Sequence, residues 1–384
     1  MRDFQYYNPT RIIFGEGQID SLGAQIDANA RVLLVAGGGS IKQNGVYEQV
    51  VRAMGQRYVV EHWGIESNPD LASVLVAKEL ALKEGCDFLL AVGGGSVIDA
   101  TKFLAGLCKT TDDAAILLTR GGRFTNALPV GVVLTAPGTG SESNPHGAIS
   151  NRAKGQKQLF SSPACLPKFA ILDPEVTFSL PQRQVANGVA DAFVHVLEQY
   201  LTYPDGGLLS DRLAESVLLT LLDVGPKTVA DAGNYDLRAN FMWCANLALN
   251  GLLGLGVPQD WTTHHIGHEL TALFEIEHAR TLAVVLPAVL HLRREHKRAK
   301  LLQYAERVFG IITGSEDERC VAAIERTREF FELLGLPTRL SAYGLSEDCV
   351  PRIVANLKAV RRVRLGERLD ITLDNVATIL KSAL

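Results

Sequence analysis

The sequence predicts a two-domain protein in which an α/β domain with a parallel sheet is followed by an all-helical domain. The first half alternates short apolar runs rich in β-branched residues with segments of helical periodicity, a pattern typical of a parallel sheet. After Pro174 the strand signal almost disappears. The 384 residues also exceed the roughly 250–300 at which a single hydrophobic core stops growing, so two cores are expected.

The predicted elements follow one another in a regular order. In the α/β domain they are strands at residues 32–36, 88–92, 130–135 and 169–173, with helices at residues 70–84 and from Ser96. In the helical domain they are helices at residues 182–203, 207–222, 235–252, 259–274, 279–293, 297–311 and 316–334, followed by a tail. The boundary near residue 180 gives an α/β domain over residues 1–180 and a helical domain over residues 181–384. We expect the two domains to pack directly, with a cleft between them, which is a common place for a small-molecule site.

Composition excludes several classes of function. The chain is 47% hydrophobic and 21% charged, and its formal charge of -4 offers no basic surface for nucleic acid or anionic membranes. The N-terminus lacks the order of a signal peptide, and the most apolar stretch, residues 281–292, is too short to span a bilayer. The six cysteines are scattered, with no Cys-x-x-Cys pair, so we assign them to packing. A cytoplasmic protein without nucleic-acid or membrane partners is expected.

Two predicted strands end in the same tetrapeptide, Gly-Gly-Gly-Ser. The residues are Gly37, Gly38, Gly39 and Ser40 after the first strand, and Gly93, Gly94, Gly95 and Ser96 after the second. Glycine lets the backbone approach a ligand closely, and the N-terminus of a following helix attracts an anion. We therefore interpret both loops as cradles for the phosphates of a dinucleotide. Neither loop fits G-x-G-x-x-G, and tight turns without a ligand are the alternative interpretation.

The charge around the first loop indicates which dinucleotide is bound. No carboxylate lies between Arg31 and Tyr47, whereas Ser40 and Lys42 are close to the glycines. Sites selective for NAD usually present an acid to the 2′-hydroxyl of the adenosine ribose, and that acid would repel a 2′-phosphate. The first loop therefore predicts NADP(H).

The second loop has an alternative explanation that needs no ligand. Ser96 and Asp99 form the Ser-x-x-Asp pattern of a capping box, which would account for both residues at the start of a helix. Lys102, one turn further along, is harder to explain by capping.

Histidines predict a metal site in the helical domain. Four of the nine fall close together, namely His264, His265, His268 and His278. Upstream, Asp191 and His195 stand four residues apart on a helix that is otherwise apolar, so that a carboxylate and an imidazole project together. These residues together can clamp one divalent cation, and imidazole suits iron, zinc or nickel. The spacing does not decide between His264, His265 and His268, and a solvated helix face would also explain the Asp/His pair.

These motifs together resemble the iron-containing alcohol dehydrogenase family over nearly the whole chain. The similar segments are residues 9–17, Gly93-Gly94-Gly95-Ser96-x-x-Asp99-x-x-Lys102, Thr135-x-x-Gly138-Thr139-Gly140-Ser141-Glu142, Gly188-Val189-Ala190-Asp191-Ala192-x-x-His195 with Glu198, His264-x-x-x-His268 and Glu277-His278-Ala279. The triple glycine at residues 37–39 and the segment at residues 256–261 further resemble the NADPH-dependent aldehyde reductase branch. The resemblance implies the fold that this family shares with dehydroquinate synthase.

The resemblance also implies a role for each matching residue. The implied metal ligands are Asp191, His195, His264 and His278. The implied cofactor contacts are Ser96, Thr135, Thr139 and Lys157. His268 would lie near the nicotinamide, either relaying a proton or orienting a ligand. His265 matches no motif position and is interpreted as helix packing, and His146 lies outside the motif.

The implied activity is hydride transfer between NADP(H) and alcohols or aldehydes, with reduction of short- to medium-chain aldehydes. A homodimer is expected from the family and from residues 10–14, which read as an edge strand that would otherwise be left unpaired. One alternative is a lyase of the same fold that resembles dehydroquinate synthase. It would carry a basic pocket for a substrate phosphate, which this sequence does not indicate. A non-catalytic relative is the other alternative, and the complete ligand set argues against it.

Overall fold

The structure, a computed structural model, describes all 384 residues and divides them into two compact units. The sheet unit consists of Tyr7–Pro181 and Asp231–Asn246, and the helical unit of Met1–Tyr6, Gln182–Ala230 and Leu247–Leu384. The sequence placed residues 231–246 in the second domain. In the structure they belong to the sheet unit, where Met242 joins the apolar core on one face of the sheet.

Six parallel strands form the main sheet, in the order β1-β8-β5-β4-β2-β3. Two short antiparallel pairs, β6 with β7 and β9 with β10, lie outside it. The strands are β1 (Arg11–Phe14), β2 (Arg31–Ala36), β3 (Tyr58–His62), β4 (Phe88–Gly94), β5 (Val130–Ala136), β6 (His146–Asn151), β7 (Gln156–Ser161), β8 (Phe169–Leu172), β9 (Arg364–Leu365) and β10 (Ile371–Thr372). The parallel sheet predicted from the sequence is confirmed, although β3 and the β6–β7 hairpin were not predicted.

The strand order reverses at β2. Its neighbour on one side is β3, the next strand in sequence, while β4 lies on its other side. At such a switch point the loops after the two strands leave in opposite directions, and the crevice at their carboxyl ends is where ligands bind in open α/β sheets. Both Gly-Gly-Gly-Ser tetrapeptides lie at this edge, one after β2 and one at the end of β4.

Both faces of the sheet are covered. Leu33 and Val35 of β2 join the apolar core on one face, whereas Val32 and Leu34 join the core on the other. This alternation within a fully apolar strand is typical of a parallel sheet that is buried on both sides. The covering helices are α1 (Val46–Met54), α2 (Leu71–Lys83), α3 (Gly95–Leu107) and α4 (Ala114–Thr119).

The helical unit contains most of the remaining helices. They are α5 (Gln182–Tyr200), α6 (Leu208–Ala230), α7 (Tyr235–Leu249), α8 (Thr262–Phe274), α9 (His278–Leu292), α10 (Arg298–Arg307), α11 (Glu316–Leu333), α12 (Cys349–Ala359) and α13 (Leu373–Ser382), of which α7 lies mostly in the sheet unit. In α5 every residue from Val185 to Tyr200 is buried, polar residues included. A helix buried on all sides can hold polar side chains only where partners satisfy them, which makes α5 the natural support for a site.

The longest apolar helices fall short of a membrane span. None of them combines the length and the hydropathy that crossing a bilayer requires. All six cysteines are free thiols, and five of them are buried.

Candidate metal centre and cofactor site

Three helices of the helical unit bring the predicted metal ligands together. Asp191 and His195 stand one turn apart on α5, and their ligand atoms and one from His264 on α8 all lie within 4.8 Å of one another. His278, the first residue of α9, places its Nε2 at 4.0 Å from Oδ1 of Asp191. One carboxylate and three imidazoles from distant parts of the sequence therefore face the same point.

The donor atoms of α5 are buried and unsatisfied. Asp191 and His195 are each 5% exposed. Oδ1 of Asp191 and Nδ1 of His195 have no hydrogen-bond partner, and the 3.8 Å between them is too long for one. Burial lowers the pKa of His195 to about 4, so its ring is neutral and keeps a lone pair at neutral pH. Buried polar atoms without partners are rare in proteins, and this donor set fits a divalent cation.

Glu198 orients the His264 ring. Its buried carboxylate accepts a hydrogen bond from Nδ1 of His264 and others from the backbone N–H groups of Thr263 (2.6 Å) and His264 (3.3 Å). With Nδ1 protonated, Nε2 of His264 carries the lone pair, as in the carboxylate–histidine pairs that support metal sites. Burial raises the pKa of Glu198 to about 8, the charge of Asp260 adds to the shift, and the two backbone donors oppose it.

Glu277 positions His278. Its carboxylate accepts hydrogen bonds from Nε of Arg183 (2.8 Å), Nδ2 of Asn187 (3.1 Å) and Nε of Arg280 (2.9 Å). Burial opposes the ionised form, but the donors from Asn187 and Arg183 hold the pKa of Glu277 below its ordinary value. Since Arg183 and Asn187 belong to α5, these bonds fix the start of α9 against the helix that carries Asp191 and His195.

His268 lies beside the predicted metal ligands, one turn after His264 on α8. It is 3% exposed, and its ring centroid is 4.8 Å from that of His278 and 6.2 Å from that of His264. His265 stands outside this group of rings. Burial and the nearby charge of Arg362 lower the pKa of His265 to about 3, in keeping with a packing role.

In the sheet unit, close packing requires each glycine of the second loop. A Cβ at Gly93 would lie 2.6 Å from Val97, one at Gly94 would lie 2.9 Å from Ala136, and one at Gly95 would lie 2.5 Å from Thr139. This packing places Thr139 and the end of β5, with Thr135, directly against the loop.

The first loop is open. An added Cβ at Gly38 or Gly39 would meet nothing within 4 Å, and Gly39 has a φ of +101°, which favours glycine. At Gly37 a Cβ would lie 3.3 Å from the carbonyl oxygen of Ile65. The space above Gly38 and Gly39 therefore stays free for a ligand, unlike the packed surroundings of the second loop.

Two predicted cofactor residues meet at Asn68, which the sequence did not single out. Oγ of Ser96 accepts a hydrogen bond from the backbone N–H of Asn68 (3.2 Å), and Nζ of Lys157 donates to its Oδ1 (2.8 Å). Asn68 has a φ of 56°, a conformation that asparagine tolerates better than most residues. Its position follows from the turn between β3 and α2 rather than from any spacing in the sequence.

The capping box expected from Ser96 and Asp99 is wrong. Helix α3 begins at Gly95, and its N-cap residue, Gly94, forms no side-chain cap. The carboxylate of Asp99 instead accepts hydrogen bonds from Oγ of Ser141 (2.5 Å) and from the backbone N–H of Ala148 (2.8 Å). Asp99 therefore fastens the segment after β5 to α3, and both its oxygens already have protein donors.

Lys102 fastens the same segment. Its ammonium group is fully buried and donates to the carbonyl oxygens of Ser141 (2.8 Å), Asn144 (3.1 Å) and His146. Burial lowers the pKa of Lys102 to about 8, while Asp99 opposes the shift. The lysine that capping could not explain is thus a structural cation that holds a loop.

Models of one protein family match nearly the whole chain. The model described as iron-containing alcohol dehydrogenase matches residues 9–174, and the model of the C-terminal part of the Fe-containing alcohol dehydrogenase family matches residues 185–384. The chain is 52% identical over 386 residues to the NADPH-dependent aldehyde reductase YqhD of Escherichia coli (strain K12), covering 100% of both proteins. It is 36% identical over 389 residues to the probable NADH-dependent butanol dehydrogenase 1 of Bacillus subtilis (strain 168), again covering 100% of both.

A solved structure extends this likeness to the fold. The crystal structure of E. coli K-12 YqhD superimposes with a TM-score of 0.99 at 51% identity, covering 100% of this chain and 99% of that chain. With family models over both units and a relative that matches along its full length, the chain belongs to the iron-containing alcohol dehydrogenase family.

Proposed function

We propose that this protein is a metal-dependent aldehyde reductase that uses NADPH and acts on short- to medium-chain aldehydes. The observation that carries the proposal is the buried cluster of Asp191, His195 and His264, with the partly buried His278 beside it. In this cluster Asp191 and His195 have donor atoms without hydrogen-bond partners. The similarity to an NADPH-dependent aldehyde reductase supports the cofactor and the direction of the reaction. We place the enzyme in the cytoplasm, where its six free cysteines stay reduced.

When bound, the nicotinamide supplies the hydride, and the divalent metal supplies Lewis-acid polarisation of the substrate carbonyl. The residues that would hold the metal are Asp191, His195, His264 and His278. Three neutral imidazoles and a single carboxylate neutralise only half of a divalent charge, and further anionic ligands would weaken that polarisation. Iron, zinc and nickel all suit this donor set.

His268 is the residue that we assign to proton transfer. It is buried beside His278 and belongs to the same helix as His264, within reach of the donor cluster but outside the set of four ligands. A histidine so placed can hold the proton that neutralises the product oxygen after hydride transfer.

In the sheet unit we assign cofactor phosphate binding to the carboxyl edge around the switch point. The residues assigned there are Gly37, Gly38, Gly39, Ser40, Lys42, Gly93, Gly94, Gly95, Ser96, Thr135, Thr139 and Lys157. The open space above Gly38 and Gly39 and the positive charges of Lys42 and Lys157 support binding of a 2′-phosphorylated dinucleotide. Asp99 contributes indirectly, by holding the segment after β5.

The expected activity can be measured with the metal-loaded enzyme and a panel of straight-chain aldehydes. Butanal should be reduced with oxidation of NADPH, and NADH should be the poorer hydride donor because the first loop offers no acid to a free 2′-hydroxyl. The readout is kcat/KM for each aldehyde with each cofactor. A protein that keeps nicotinamide bound without net turnover would instead support the lyase alternative.

The metal assignment predicts different outcomes for neighbouring histidines. His264→Ala and His278→Ala should each lose the bound metal and the activity, while the matched control His265→Ala keeps both. Glu198→Gln should weaken metal affinity by about 10- to 100-fold, the usual cost of losing a carboxylate behind a ligating histidine. Metal content per chain, measured by mass spectrometry after dialysis, checks each variant. Loss of metal in His265→Ala, or full activity of metal-free enzyme, would show that the ligand set is wrong.

The open first loop predicts that one substitution reverses cofactor preference. Gly37→Asp places a carboxylate beside the 2′-position, which repels the phosphate of NADPH and offers a hydrogen bond to the hydroxyl of NADH. The expected swing is about 1–3 kcal/mol, roughly 10-fold to over 100-fold in relative kcat/KM. Gly37→Ala is the steric control, since it meets the same oxygen of Ile65 without adding charge and should keep the preference for NADPH. An unchanged preference in Gly37→Asp would show that this loop does not bind the phosphate.

We also propose that the protein is a homodimer formed through the edge of the sheet at β1. β1 pairs with β8 on one side and ends the sheet on the other, so its outer hydrogen-bonding groups are open to a second chain. Beside it lies a groove of about 470 Å³ lined by Ile12, Phe14, Ala239, Asn240 and Trp243. Phe14 is 38% exposed and Trp243 is 42% exposed, although their rings touch edge to face. Two exposed aromatic rings beside an open strand edge suit a symmetric interface.

Light scattering should therefore find a dimer at micromolar concentration. Phe14→Lys puts a charge into the groove and should raise the dimer dissociation constant at least about tenfold, because a buried charge without a partner is costly. The control is Ile116→Lys, which changes another exposed apolar residue (52% exposed) on α4, outside the groove. A monomeric wild-type protein would rule the interface out.

A further inference from the structure

A lysine at the carboxyl edge of the sheet rests on an aromatic ring. Nζ of Lys42 lies 3.8 Å from the ring centroid of Trp63 and 5.2 Å from that of Tyr47. The two rings meet edge to face, with their centroids 5.5 Å apart. A cation held over the face of a tryptophan is attracted by the negative face of the ring. Lys42 is exposed, so this stack is what orders its long side chain.

Glu61 fixes both rings. The hydroxyl of Tyr47 donates to Oε1 of Glu61 (2.6 Å), and the indole Nε1 of Trp63 donates to Oε2 (2.7 Å). We call Tyr47, Glu61 and Trp63 the aromatic platform. Both carboxylate oxygens of Glu61 accept from uncharged donors, so the negative charge is anchored between the two rings.

The aromatic platform borders the first glycine loop. In the sheet, Glu61 of β3 pairs with Leu34 of β2, two residues before the end of that strand. Just beyond Trp63, the backbone N–H of Gly64 donates to the carbonyl oxygen of Gly37 (3.1 Å). At the other end of the loop, the backbone N–H of Lys42 donates to the carbonyl oxygen of Gly39 (3.0 Å). The ring and the cation are therefore each joined by the backbone to the same loop.

Prior ordering of Lys42 changes how strongly it can bind an anion. A lysine side chain loses much rotamer freedom when it is fixed in a complex, and a side chain that is already fixed loses less. The platform also satisfies Glu61, because Tyr47 and Trp63 each donate a hydrogen bond to this carboxylate. Strand β3 brings Glu61 next to the loop, which the sequence did not indicate. Held between two rings, Glu61 leaves the positive charge of Lys42 available.

We propose that Trp63 is a specificity-determining residue for the cofactor, because it positions Lys42 to bind the 2′-phosphate of NADPH. The ligand class is a 2′-phosphorylated adenosine, and the inference rests on the proposed use of NADP(H). Trp63 acts through Lys42 as a positioning residue. Its removal should lower affinity only for nucleotides that carry the 2′-phosphate.

The same two strands supply a matched control at their opposite ends. The guanidinium of Arg31 lies 3.9 Å from the ring centroid of Tyr58, its register partner, and the hydroxyl of Tyr58 donates to Oε2 of Glu84 (2.7 Å). This stack has the same kinds of parts as Lys42 and the aromatic platform, namely a cation, an aromatic ring and a carboxylate. It lies at the amino ends of β2 and β3, whereas the glycine loop lies at their carboxyl ends.

The test compares binding of 2′,5′-ADP and 5′-AMP to the full-length enzyme by calorimetry, a measurement that needs neither turnover nor metal. Trp63→Leu should weaken 2′,5′-ADP binding about fivefold, the usual effect of losing one cation–π contact, and leave 5′-AMP unchanged. Tyr58→Leu should change neither. In a Lys42→Ala background Trp63→Leu should have no further effect, because the residue it positions is gone.

Any of the following results would overturn the proposal. Equal weakening of both nucleotides by Trp63→Leu would assign Trp63 to the loop or to the adenine. Additive losses in the double variant would show that Trp63 acts independently of Lys42, and equal losses in Tyr58→Leu would indicate a general effect on the sheet. If Trp63→Leu does not fold, Trp63→Phe replaces it, because phenylalanine keeps a ring but cannot donate a hydrogen bond to Glu61. Trp63→Phe should lower selectivity for 2′,5′-ADP about twofold. Unchanged selectivity in this variant would overturn the proposal.

The outcome is separable from that of the proposed function. An enzyme that reduces no aldehyde but still selects 2′,5′-ADP through Lys42 and Trp63 would overturn the function and support this inference. An active aldehyde reductase whose selectivity for 2′,5′-ADP is unchanged by Trp63→Leu would support the function and overturn this inference.

Discussion

The hydrogen bonds that the buried carboxylate of Glu198 accepts are the interactions on which the cluster of Asp191, His195, His264 and His278 depends. It accepts from the backbone N–H groups of Thr263 and His264, which belong to the first turn of α8 and have no acceptor within that helix. It also accepts from the ring of His264. The group that orients this imidazole therefore also fixes where α8 begins. The helix cannot shift without turning the ring, which keeps His264 in place relative to α5.

A second buried network also holds the N-terminus of this helix. Asp260 accepts from the backbone N–H of Thr262 (3.0 Å) and pairs with Lys297 (2.8 Å), which also pairs with Glu367 (3.0 Å). Burial opposes the charge of Lys297, but the two carboxylates hold its pKa above the ordinary value. Removing one member would leave the others buried and unpaired, which is strongly destabilising. Glu367 lies between β9 and β10, so a hairpin about a hundred residues away in sequence supports the start of the helix that carries His264.

The sequence predicted what depends on local periodicity and missed what depends on pairing across the chain. The strand before Gly37 and the donors Asp191 and His195 could be found, because apolar runs and four-residue spacing are local signals. The short strand Tyr58–His62 went unnoticed, and with it Glu61, so the argument that no carboxylate lies near the first loop considered only neighbours in sequence. The capping box is absent because α3 begins at Gly95, two residues too early for Ser96 to be its N-cap residue. The density of histidines indicated His278 as a candidate, and the family resemblance implied its role as a ligand.

Burial shifts the pKa of His195 and the pKa of Glu198 in opposite directions. Burial lowers the pKa of His195 from 6.5 to about 4. Between these pH values the unfolded chain binds a proton at His195 and the folded chain does not, so folding becomes less favourable as the pH falls from 6.5 to about 4. The pKa of Glu198 rises from 4.5 to about 8, so its contribution is full below 4.5 and is lost as the pH rises through about 8. A cation held beside His195 would favour its neutral imidazole, and the same positive charge would favour the ionised form of the nearby Glu198. The neutral imidazole of His195 and the ionised carboxylate of Glu198 are therefore the protonation states that a bound cation would favour, and the unpartnered donor atoms of Asp191 and His195 are the ones that would hold it.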